Sequence, residues 1–154
     1  MYKRLLVPLD GSQFAESALE HVRSVAQGAA LEKVFLVRVV VPIIADAKDY
    51  LGAQRVSDAE AKLEADAQSY LDGVAAGLRK DHIPVETLII IDGEPAAKIL
   101  EAAREHKADL IIMSTHGRSG FSLWVHGSVA HRVLAHSVIP VLMVAPHGTR
   151  SHKV

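Results

Sequence analysis

Ser114-Thr115-His116-Gly117-Arg118-Ser119-Gly120 and, after six further residues, Gly127-Ser128 are the residue types best suited to gripping an anion. They follow the apolar run Ala108-Asp109-Leu110-Ile111-Ile112-Met113, which reads as a buried strand. They precede Val129-Ala130-His131-Arg132-Val133-Leu134-Ala135-His136, whose apolar spacing predicts a helix. A glycine-bearing loop from a strand end to a helix start offers backbone N–H groups and the positive end of a helix dipole to a phosphate. The same glycines also permit tight turns and close helix–sheet packing, and both readings stand at this point. A Walker loop needs a lysine after its last glycine, and none follows here. The dinucleotide fingerprint needs G-x-G-x-x-G after the first strand, where this chain has only Gly11. Without a phosphate-gripping lysine or a water-orienting residue, binding is better supported than phosphoryl transfer.

Other reactive-looking groups are less specific. Asp10-Gly11-Ser12 stands where a first helix begins. It suits a ligand contact, and equally a helix cap worth on the order of 1 kcal/mol. His126, His131 and His136 recur every five residues, which turns successive side chains by about 140° around a helix. They therefore share no metal-binding face and read as surface histidines. Gly127-Ser128-Val129 is not a nucleophile elbow, because no G-x-S-x-G surrounds it.

The elements that must position these residues follow from apolar periodicity. Strands are expected at residues 5–9, 34–41, 85–91, 109–114 and 138–144. Between them come helices at 13–27, with Phe14, Ala18, Leu19, Val22, Val25 and Ala26 on one stripe, and at 59–78, with Leu63, Ala67, Tyr70, Leu71 and Val74 on one face. Two more are expected at 96–106, with Pro95 suited to its first position, and from 129 to 136. Residues 42–56 read as a loop. Alternating strands and helices with near-continuous apolar strands predict a parallel sheet covered on both faces, an α/β doubly wound fold of five strands. In such sheets ligands bind beyond the carboxyl ends of the strands. Pro8-Leu9-Asp10, Val39-Val40-Val41 and the segment from Met113 to Ser119 all lie at such ends.

The 154 residues suit one domain, taken as 1–146 with a polar tail at 147–154. Hydrophobic residues form 49% of the chain and aromatics 5%, so the core is aliphatic. Seventeen basic and eighteen acidic residues leave no basic field for nucleic acid or a membrane surface. No apolar run approaches the roughly 20 residues needed to span a bilayer. The chain lacks cysteine, which excludes disulfides and thiolate chemistry and fits a reducing compartment. With no signal-peptide core at the start, a cytoplasmic location is expected.

Leu5-Leu6-Val7-Pro8-Leu9-Asp10-Gly11-Ser12, the loop from Ser114 to Gly120, Gly127-Ser128-Val129-Ala130 and Ile139-Pro140-Val141-Leu142-Met143-Val144 together resemble the universal stress protein family, over essentially the whole chain. The resemblance implies a five-stranded Rossmann-like sheet of the adenine nucleotide alpha hydrolase-like type. It also implies a homodimer formed through the last strand, Val138-Ile139-Pro140-Val141-Leu142-Met143-Val144. Left unpaired, that strand would be an exposed apolar edge, which independently favours a dimer. One branch of the family binds ATP through G-x-x-G, nine residues, then G-[ST]. Here the second glycine falls at Gly117 and the final pair at Gly127-Ser128, while Ser114 stands in place of the first glycine. Serine adopts positive φ less cheaply than glycine, and its Cβ narrows the approach to a ligand.

The resemblance further implies a role for each matching residue. Asp10 would meet the adenine or ribose, with Pro8 and Leu9 shaping that wall and Val39 lining the adenine pocket. Met113, Ser114, His116 and Gly117 would border the ribose and phosphates. Gly127, Ser128, Val129 and Ala130 would cradle phosphate oxygens, and Arg118 would pair with a terminal phosphate or stand as a solvated loop cation. The ligand is then ATP, or ADP or AMP, with any Mg²⁺ held mainly by the phosphates. The activity expected is a stress or signalling role exerted through the dimer. A nucleotide-free dimeric interaction module and a weak ATPase are the alternatives.

Overall fold

Leu5, Leu6 and Val7 are wholly buried in β1 (Arg4–Pro8), as three successive apolar residues in a strand require cover on both faces of the sheet. A computed structural model describes residues 1–28, 30–41, 52–91, 93–115 and 128–145. Four further strands join β1: β2 (Lys33–Val40), β3 (Val85–Ile91), β4 (Leu110–Ser114) and β5 (Val141–Val144). Every pairing is parallel and the order is β3-β2-β1-β4-β5. The expected five-stranded doubly wound sheet is the observed one.

Strand alternation divides the core into two layers. Leu5, Val7, Val34, Leu36, Leu110 and Ile112 pack on one face against α2 (Ala18–Gly28) and α3 (Ala53–Lys80), through Ala18, Leu19, Val22, Leu71, Ala75 and Leu78. Leu6, Phe35, Val37, Ile111 and Met113 pack on the other against α4 (Pro95–Glu105) and α5 (Ser128–His136), through Ala96, Ile99, Ala102, Ala103, Ala130 and Val133. At the amino end of the sheet, Asp109 accepts the backbone N–H groups of Lys3 and Arg4 at 2.8 and 3.1 Å, fastening β1 beside β4. No helix among the described residues is long and apolar enough to cross a membrane.

The element boundaries depart from the expectations in three places. The helix expected at 13–27 is divided at Ser17 into α1 (Gln13–Glu16) and α2, where the Ser17 hydroxyl donates to the Phe14 carbonyl at 2.7 Å. Such local side-chain bonds compete with a continuing helix. The long helix starts at Ala53, inside the segment expected to be a loop, and the wholly buried Val56 anchors its first turn. Its first turn includes polar Gln54 and Arg55 and has no side-chain cap, so periodicity alone does not reveal it. The last strand is Val141–Val144 rather than 138–144. Ser137 Oγ accepts from Ile139 N at 3.1 Å and donates to Ile139 O at 2.6 Å. That tight turn, followed by Pro140 with no N–H to give, delays the strand and leaves Val138 88% exposed.

Candidate functional site

β1 pairs with β2 on one side and β4 on the other, so the chain leaves neighbouring strands in opposite directions and a crevice opens at their carboxyl ends. A cavity of about 420 Å³ lies there, within the range of small-molecule sites. Of the residues singled out from the sequence, it brings together Pro8, Leu9, Asp10, Val39, Met113, Ser114, Ser128, Val129 and Ala130. His116, Gly117, Arg118 and Gly127 lie outside the described residues, as do residues 42–51 and the tail at 147–154.

The first wall is the end of β1. Leu9 N donates to Val37 O at 2.8 Å, extending the β1–β2 ladder one residue past the strand. Asp10 Oδ1 then accepts both the N–H and the hydroxyl of Ser12, at 2.9 and 2.6 Å. Ser12 Oγ in turn accepts Ala15 N at 3.2 Å and caps α1. The two alternatives for this segment thus divide between residues: Ser12 is the cap, and Asp10 orients it while lining the cavity. Gly11 has φ of +86°, which only glycine adopts without strain.

The second wall is the end of β2. Val37 and Val39 turn toward the α4–α5 face and give an aliphatic surface. Arg38 turns the other way, and its guanidinium lies over the ring of Tyr70, 5.2 Å from the centroid. Tyr70 donates its hydroxyl to Glu16 Oε1 at 3.0 Å. Burial first, and then the Glu16 carboxylate, push the Tyr70 phenol far above its ordinary range, so it remains a neutral donor.

Met113 and Ser114 end β4, paired with Met143 and Val144, and each is only 6% exposed. Thr115 N extends this ladder to Val144 O at 2.9 Å. Ser114 is not among the non-glycine residues with positive φ. The backbone at this position therefore accepts serine freely, and only its Cβ and hydroxyl bear on the cavity. The remaining wall is the first turn of α5, Ser128 to Ala130. The N–H groups of a first helical turn have no intrahelical acceptor, and the dipole there favours negative charge. Pro95 and Ile99 of α4 close the floor. Glu94 caps α4 by accepting Ala97 N at 2.9 Å, and Arg132 of α5 donates to the same carboxylate at 3.1 Å.

The sequence reading missed Ala15, Val37, Arg38, Leu63, Pro95 and Ile99 as lining residues. Arg38 had a signal, since it is the one charged residue inside β2 after Lys33 opens the strand. Leu63 looks like a core position by spacing, yet it is 41% exposed and faces the cavity. Among the described residues no three histidines, aspartates or glutamates gather as a metal site. The arrangement joins an aliphatic slot between Val39 and Met113 to an anion-favouring helix start, with a carboxylate at the far wall. That combination fits a ligand with a flat apolar part and a phosphate.

A family model described as the universal stress protein family matches residues 1–145. Universal stress protein MJ0531 of Methanocaldococcus jannaschii is 31% identical over 147 residues, spanning 94% of this chain and 82% of the relative. The solved structure of MJ0577, another universal stress protein of that organism, superposes with a TM-score of 0.84 at 28% identity, covering 97% of this chain and 99% of the other. An Arabidopsis thaliana family member solved with AMP bound shares the fold at 15% identity and a TM-score of 0.65, covering 98% and 96% of the two chains. The cavity at the strand ends, the parallel order of the sheet and the match over nearly the full length agree: the chain belongs to the universal stress protein family.

Proposed function

We propose that this protein binds an adenine nucleotide, ATP or alternatively ADP or AMP, in the cavity at the carboxyl ends of its strands. The observation that carries the reading is the convergence of four segments on one space: Pro8 to Asp10, Val39, Met113 to Ser114, and Ser128 to Ala130. The adenine would lie against Val39, with Pro8 and Leu9 shaping that end and Asp10 facing the base or ribose. The phosphates would run toward the first turn of α5, with Gly117, His116, Arg118 and Gly127 completing the cradle and Mg²⁺ carried by the phosphates. The AMP bound to the Arabidopsis family member supports the ligand class.

The working unit in this reading is the domain of residues 1–146, acting as a cytoplasmic homodimer in a stress or signalling role. β5 is the terminal strand of the sheet, and Leu142 in it and Val138 in the turn before it are exposed, an edge that dimerisation would cover. A second reading, a nucleotide-free dimeric module, is favoured by the Cβ of Ser114 in the cavity wall. Isothermal titration with ATP and Mg²⁺ separates the two. Saturable heat at one nucleotide per chain, abolished by Gly127→Val, is expected; a native chain giving no saturable heat with ATP, ADP or AMP would overturn the nucleotide reading.

A further inference from the structure

Arg38 is the one cation among the described residues that line the cavity. It stands on a strand whose neighbours Leu36 and Val37 are buried. A guanidinium in that setting needs partners, since a charge shielded from water without them is costly. The structure supplies an aromatic ring with a carboxylate hydrogen-bonded to it, and packs a glycine over the group. The Tyr70 ring lies beneath its cation at 5.2 Å, close enough for a cation–π contact. Gly11 lies over it so closely that a Cβ there would stand 3.2 Å from Arg38 Nη1. The Glu16 carboxylate accepts the Tyr70 hydroxyl at 3.0 Å, which places a negative charge on the ring that carries the guanidinium.

These contacts form a chain through elements far apart in sequence. Glu16 of α1 accepts from Tyr70 of α3, Tyr70 carries Arg38 of β2, and Arg38 supports the loop after β1 at Gly11. That loop is the one in which Asp10 Oδ1 is held against Ser12. We infer that Arg38 is a positioning residue for the Asp10 end of the cavity: stacked on Tyr70 and packed beneath Gly11, it holds the Asp10-Gly11-Ser12 loop where a bound nucleoside meets it. The inference rests on the nucleotide reading given above. It adds a determinant of affinity that acts on the base and ribose rather than on the phosphates, because Arg38 and Ser128 occupy different walls.

The test uses the full chain with Arg38→Met, Arg38→Lys and Tyr70→Leu, titrated with adenosine, AMP, ADP and ATP. Thermal melts are followed by circular dichroism without ligand. Arg38→Met keeps an apolar stem over the core and loses the planar cation. It is expected to weaken all four ligands by a common factor of about ten, the scale of one partly buried cation–π contact. Arg38→Lys keeps the charge without the plane and should recover part of that loss. Tyr70→Leu should reproduce the loss, and the Arg38→Met/Tyr70→Leu pair should lose little more than either alone. Losses that grow from adenosine to ATP would instead make Arg38 a phosphate contact and overturn the inference. Unchanged affinities beside a lowered melting temperature would also overturn it, leaving Arg38 a purely structural residue. If the native chain binds none of the four ligands, the nucleotide reading itself fails, and the inference with it.

Discussion

Ser114 stands where the family pattern has glycine, and replacing it separates the contributions of its Cβ and its hydroxyl. The residue is 6% exposed at the end of β4 and lines the cavity. Ser114 takes part in a polar interaction of its own. Ser114→Ala removes the hydroxyl and should cost about 0.5–1.5 kcal/mol of stability, the scale of one hydrogen bond. Ser114→Gly adds the backbone entropy of glycine in a strand, about 0.5–1 kcal/mol more. For a chain of this length the glycine variant should melt roughly 2–10 °C lower. Ligand affinity should move in the opposite direction. Removing a carbon from the wall opens space for one methylene-sized contact, about 0.8 kcal/mol, or roughly fourfold tighter binding of ATP. The alanine variant keeps the Cβ and should bind within about twofold of the native chain. Calorimetric titration of the three proteins, with melts on the same samples, decides the matter. If both variants bind at least tenfold more weakly, the hydroxyl is a ligand contact and the account of Ser114 as an obstruction is wrong. If neither changes affinity, Ser114 does not face the ligand.

Two further outcomes follow from the fold. Leu142→Asp places a charge on β5, the terminal strand of the sheet, at a residue already 36% exposed. It should convert a homodimer to a folded monomer by light scattering, and a native chain that is monomeric at micromolar concentration would refute the dimer. Glu94 has its carboxyl held below the ordinary range chiefly by the Ala97 N–H it accepts, with Arg132 adding to the effect. A lowered folded-state pKa gives stability that is present at neutral pH and is lost as pH falls through that value. Glu94→Gln should therefore cost about 0.5 kcal/mol in urea unfolding at pH 7, a cap contribution reduced for its exposure. That cost should shrink as the pH falls through the lowered folded-state pKa and the native carboxyl takes up its proton; a cost that stays constant across the acid range would show that the charge has no part in the cap.

Much of the architecture is legible along the chain. Runs such as Leu5-Leu6-Val7 and Leu110-Ile111-Ile112-Met113 can only be strands covered on both faces. The punctuation at Pro95 and at Asp10-Gly11-Ser12 marks where helices begin. What escaped that reading was set by partners close to hand or far away. Ser17 breaks its helix through one hydroxyl, and Ser137 with Pro140 delays β5. The first turn of α3 is held by a buried Val56 rather than by a cap.

By itself, the order of residues determined that this chain forms a parallel α/β sheet and that the residues singled out for binding stand at the carboxyl ends of the strands. Both follow from periodicity and local turn chemistry, which act over a few residues. Only the tertiary structure decided the strand order β3-β2-β1-β4-β5, the cavity between α3, α4 and the strand tips, and the stacking of Arg38 on Tyr70. These depend on contacts between segments far apart in the chain, and no local pattern encodes which distant side chain a residue will meet.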